Sequence, residues 1–190
     1  GAGAAPAADV AVLQRAEVDR SEYYRREIER LQADLRQAEE AMVSIESGLR
    51  RHHTRANAVS TIAEARIEVE RAAKAAPWRT AEHEEARAKL AEADRQLEAG
   101  HFGSAVFFAS RARRVADHLN SEARLVAGAG NARFVDVRRL NLRTEPSRGG
   151  RVLETLRQDT PVFSERAEGD WMLVRTPRGQ VGWVYASMLR

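Results

Sequence analysis

From residue 24 to residue 49 the larger apolar side chains recur at Tyr24, Ile28, Leu31, Leu35, Ala38, Met42, Ile45 and Leu49, alternately four and three residues apart. A seven-residue repeat held for about four heptads is the seam of a left-handed coiled coil. Arg25, Arg26, Glu27, Glu29, Arg30, Asp34, Arg36, Glu39 and Glu40 lie between the seam positions, the mixed charge of a solvated helix surface. The pattern predicts one long helix over residues 9–76. Asp9 is its N-cap, Val10, Leu13 and Val18 follow, and Gly48 with His52-His53 leaves room for a bend near 48–56. Past the bend the strict heptad fails, because Arg66 stands where the stripe through Val59, Ile62 and Ala63 needs an apolar residue. Val59, Ile62, Ala63, Ala65, Ile67 and Val69 form a broader, irregular face, that of a helix joining a bundle. Pro77 ends it, since proline disfavours helical geometry in the residue before it. The seam has two candidate partners, the same helix in another copy or a later helix of the same chain; a bound foreign helix is a third.

Residues 77–126 read as an antiparallel helical hairpin. Thr80 caps its first helix, Glu82 and Glu84 favour the N-terminal dipole, and Ala86, Leu90, Ala93 and Leu97 make the buried stripe up to Gly100. The link His101-Phe102-Gly103 leads to a second cap at Ser104 and a stripe of Ala105, Phe108, Ala109, Ala112, Val115, Ala116 and Leu119. So short a link folds the two helices back on each other. Residues 127–132, Ala-Gly-Ala-Gly-Asn-Ala, form a flexible linker, and residues 1–8 a tether or cloning remnant. From residue 133 the pattern shortens to strands: Phe134, Val135 and Val137 first, then apolar runs around Leu140, Val152, Val162, Trp171 and Val181, parted by Gly, Pro and Asp turns. The expected class is a multidomain α+β chain, with a long coiled-coil-like helix and a helical hairpin followed by a small β-barrel.

Residues 133–190 resemble the bacterial SH3-type (SH3b) domain. Leu140, Asn141, Arg143, Pro146, Trp171, Gly182, Trp183, Val184 and Leu189 carry the likeness, in the family's order. Two positions depart, Glu145 before the proline and Asp159 in a hairpin, where the family has glycine. The resemblance implies a non-catalytic SH3-like barrel that recognises peptides or cell-wall muropeptides. Residues 59–119 are similar to an uncharacterised alanine-rich helical domain of bacterial envelope lipoproteins. That likeness implies the periplasm or cell envelope, with membrane contact only through a removed lipid anchor, if any; the start at Gly1-Ala2 without Met fits a signal segment already removed.

Charge adds little. The net charge is +3, and the last 63 residues hold 11 Arg against 7 acidic groups. Those arginines are scattered among acids, which argues against nucleic acid as a partner. The absence of cysteine excludes disulfides, thiol nucleophiles and cysteine metal sites. His83 lacks a second histidine four residues on, His52-His53 point apart on a helix, and His101 and His118 stand alone. No metal, cofactor or catalytic role is expected. The candidate ligand residues are Asn141, Arg143, Glu145, Trp171, Trp183 and Tyr185. Trp171 and Trp183 either line a groove that stacks on a peptide or sugar or plug a small core. Tyr185 shares the face of Trp183 in extended chain, and Arg143 either forks onto a ligand carboxylate or pairs with Glu145. The expected function is an envelope adaptor in which a helical spacer presents the barrel to peptidoglycan or an envelope protein. The alternatives are a structural assembly protein, homo-oligomeric through residues 9–50, and a regulatory or targeting subunit of a cell-wall hydrolase.

Overall fold

The computed structural model describes residues 7–46 and 53–190. The tether at 1–6, Leu49, the side chain of Ile45 and the bend at Gly48 and His52 lie outside the described residues. The chain divides into two units, one of Arg26–Ala123, the other of Gly1–Arg25 with Arg124–Arg190.

Four helices build the larger unit: α1 (Ala7–Glu46) from Arg26 onward, α2 (Arg55–Ala75), α3 (Thr80–Glu98) and α4 (Phe102–Gly128) up to Ala123. The sequence predicts a single helix over 9–76, but α2 has its own start. Thr54 is its N-cap, and its hydroxyl accepts a hydrogen bond from the Asn57 amide at 3.2 Å. The irregular face expected on α2 is regular in the structure. Ala58, Ile62, Ala65, Val69 and Ala72 are buried at alternating spacings of four and three, whereas Val59 and Ile67 are 45% and 58% exposed. Alanines carry three of its five positions, so large residues alone misplace it.

Alanine fills the rest of the core as well: Ala86, Leu90 and Ala93 of α3 meet Ala105, Ala109, Ala112, Val115, Ala116 and Leu119 of α4. Three expected caps are displaced. Asp9 lies inside the first turn of α1, Thr80 is the first residue of α3 behind Arg79, and Ser104 lies inside α4, which starts at Phe102 within the expected link. Arg79 leads α3 because it is bound elsewhere: its guanidinium grips Glu122 of α4 at 2.6 and 3.0 Å, both side chains more than nine-tenths buried. Trp78 Nε1 donates to the same carboxylate at 2.9 Å. α3 ends as expected at Gly100, where the Gly100 and His101 amides donate to the Leu97 and Gln96 carbonyls.

In this unit α1 turns its polar stripe inward. Asp34 is 7% exposed and bound by Arg111 and Arg114, with Arg114 Nε at 3.1 Å, while Arg30 reaches Glu85 at 2.9 Å. The apolar seam faces outward: Ile28, Leu31, Leu35 and Met42 are 53–62% exposed. Among the described residues, no later helix of the chain covers it.

The second unit is a six-stranded antiparallel sheet of β1 (Ala132–Phe134), β2 (Arg139–Arg143), β3 (Val152–Arg157), β4 (Pro161–Glu168), β5 (Trp171–Arg175) and β6 (Val181–Tyr185). Their order is β1-β4-β5-β6-β2-β3. The alternating residues Val135, Leu140, Leu142, Leu156, Val162, Val174 and Val184 pack the interior. Arg190 closes on the first strand through reciprocal Phe134–Arg190 backbone bonds of 2.9 Å. Helix α4 continues to Gly128, inside the expected linker. The initial residues of α1 belong to this unit, and they dock on the barrel.

Candidate functional site

Helix α1 brings a short stripe to the barrel, with Val12 and Ala16 buried at 6% and 2% exposure. Val12 packs on Leu173 of β5 and Trp183 of β6, with Trp171 and Val181 at the edge of the cluster. Ionic contacts flank it. Arg15 donates to Glu165 at 2.8 Å, Asp9 lies 2.6 Å from Arg166, and Asp19 pairs with Arg175. Glu165 can face the helix because β4 breaks register between Ser164 and Arg166, which frees the residue between from the ladder. It also accepts from Arg175 Nε at 2.8 Å. Burial, with the positive charge of Arg15 nearby, pushes the Arg175 guanidinium below its ordinary pKa. Arg20 donates to the Gly179 carbonyl at 3.0 Å.

This docking separates the two barrel tryptophans. Trp183 is 8% exposed, held between Leu173 and Val12 with the Arg166 guanidinium 5.2 Å from its ring centre. It is a core residue beneath a helix, not an open groove wall. Trp171 is half-buried and meets Tyr185 edge to face, with ring centres 5.5 Å apart and planes at 87°. The two are directly opposite in the β5–β6 ladder. Trp171 and Tyr185 are therefore brought together as an aromatic pair beside the covered patch.

The polar candidates are positioned differently. The side-chain oxygen of Asn141 accepts from the Thr155 hydroxyl at 3.0 Å across β2 and β3. Arg143 is opposite Trp183 in the β2–β6 ladder and donates to the Gly150 carbonyl at 2.8 Å. It braces the loop through backbone rather than through Glu145, which is exposed. Of the six candidates, only Trp171 and Tyr185 form a half-exposed cluster. Sequence reasoning missed Val12, Ala16, Asp9, Arg15, Asp19 and Arg20 as the helix's barrel-facing residues. Their signal was a stripe through Val12, Ala16 and Tyr23, about 100° around α1 from the heptad seam at ~100° per residue.

Residues 136–190 match the family model of the bacterial SH3 domain. The barrel is thus an SH3b domain, a type of fold that points to peptidoglycan or protein binding. The match does not reach the helices, so the likeness of residues 59–119 to envelope lipoproteins is still an expectation. Among curated proteins none matches the chain.

Proposed function

We propose that the bacterial SH3 domain at residues 136–190 binds a peptide or muropeptide through Trp171 and Tyr185, within a non-catalytic adaptor of the bacterial cell envelope. The observation that carries this reading is the aromatic pair: it stays half-exposed while the neighbouring Trp183 is sealed by the chain's own helix. An edge-to-face pair has one rigid ring face for a sugar or apolar side chain and a phenol for a hydrogen bond. Rigid aromatics beside a sealed patch are the usual anchors of binding sites. The buried charges support a structural role, since Arg79 with Glu122, and Glu165 with Arg175, satisfy each other.

The test is co-sedimentation of the full chain with purified peptidoglycan at low salt, with immobilised stem peptide as a second arm. Replacing Trp171 and Tyr185 by alanine should cut retention about tenfold or more. Retention unchanged by the double substitution, or no retention of the unmodified chain in either arm, sinks the reading. The outward seam of α1 favours a second, compatible role in assembly.

A further inference from the structure

We infer that the outward seam of α1 pairs with the same seam of a second copy, antiparallel, with Leu31 against the second copy's Leu35 at its centre. The inference does not depend on the barrel's ligand. Tyr24, Ile28, Leu31, Leu35 and Met42 are 53–62% exposed on one face of a helix whose other face is already engaged by its own chain. An isolated surface helix has no cause to hold leucine, isoleucine and tyrosine in strict heptad register facing water. The register itself specifies a helical partner of matching period.

Packing and charge choose the partner and its direction. Ile28, Leu35 and Met42 occupy the a positions, and Tyr24, Leu31 and Ala38 the d positions. Two parallel copies would stack like on like, crowding Tyr24 on Tyr24 and leaving a hole where Ala38 meets Ala38. Antiparallel copies stack a on d. Ile28 then fills the space over Ala38, Leu31 meets Leu35, and flexible Met42 packs on the Tyr24 ring. The flanks agree. Arg25, Gln32 and Glu39 are the e positions, and both Arg25 and Glu39 are exposed. Antiparallel pairing sets each copy's Arg25 opposite the other's Glu39, twice by symmetry, with Gln32 facing Gln32 between them. Parallel pairing gives no opposite-charge g–e contact and sets Asp34 toward Glu39. In the antiparallel form Asp34 approaches its own symmetry mate, but it is already neutralised by Arg111 and Arg114 of its own chain. A foreign helix would have no reason to match this self-complementary flank.

The chain has no cysteine, so thiols can be placed one at a time. Full-length Tyr24→Cys and Met42→Cys chains, mixed and treated with a short bis-maleimide, should give cross-linked heterodimers. Tyr24→Cys alone should give none, because in this register the two Tyr24 positions lie about 27 Å apart along the helix at ~1.5 Å per residue. Tyr24→Cys cross-linking to itself as well as to Met42→Cys overturns the antiparallel register. Sedimentation equilibrium gives the second reading. The unmodified chain should run as a dimer and a Leu31→Asp/Leu35→Asp chain as a monomer with unchanged helical circular dichroism. Arg25→Glu should weaken the dimer and Arg25→Glu/Glu39→Arg restore it. A monomeric unmodified chain at tens of micromolar overturns the proposal and leaves the seam to a foreign helix.

Discussion

Gly179 is where the barrel and the docked helix meet most closely. Its φ of +83° is a backbone conformation that side-chain-bearing residues seldom adopt, and an added Cβ would run into the Ala16 carbonyl oxygen and come within 2.7 Å of Arg20 Cβ. Gly179→Ala is thus both strained and obstructed. It should lower unfolding stability by about 2 kcal/mol, read as a shift in urea midpoint at constant slope. Gly182 is constrained differently, by space: a Cβ there would sit 2.7 Å from Leu142 Cγ. Asp159 takes a hairpin position with φ of +64°, which aspartate tolerates better than most residues. Its departure from the family's glycine therefore costs little. At this scale the sequence was informative about which residues are special and poor about their surroundings. Trp171 and Trp183 look alike as tryptophans between strand residues. What distinguishes them is a helix whose contact Arg15–Glu165 spans 150 positions, a separation that no local pattern encodes.

The helices show the same contrast between seam and core. The heptad of α1 is legible because leucine and isoleucine mark it. The stripes of α2 and α4 are built largely of alanine, which composition presents as background, so the α2 face was right at Ile62, Ala65 and Val69 but took in Val59, Ala63 and Ile67 in place of Ala58 and Ala72. The Arg79–Glu122 pair was also hidden: each residue reads as an ordinary surface charge until the α2–α3 corner is folded against α4. With both side chains under 10% exposed, removing one partner strands the other. Glu122→Gln should cost roughly 3 kcal/mol, since the amide leaves a buried guanidinium without its counter-charge. Chemical denaturation of the full chain measures it. A loss below ~1 kcal/mol would mean that water reaches Arg79 and solvates it.

The barrel's unit is drawn from the two extremes of the described chain, since Gly1–Arg25 and Arg124–Arg190 cluster together. The β-strands and turns of residues 133–190 were readable from pattern alone, but the helix that docks on them was not. Without residues 1–25, Trp183 and Leu173 lose Val12, and Glu165 and Arg175 lose Arg15 and Asp19. Deleting residues 1–25 should therefore weaken the barrel by at least ~2 kcal/mol from lost apolar burial alone. Thermal unfolding followed by tryptophan emission reports it, with a red-shifted native spectrum as Trp183 meets water. An unchanged transition would show that the helix rests on the barrel without supporting it.

Translation makes the helix and the strands of this unit at different times. Val12 and Ala16 leave the ribosome before the strands that receive them, which follow roughly ten to thirty seconds later at ordinary elongation speeds. Through that interval the opening helix is a client without a host, and its greasy residues are open to chaperones or to a neighbouring nascent chain. An expression vector that places the barrel's coding sequence first, as a circular permutant, would remove the wait.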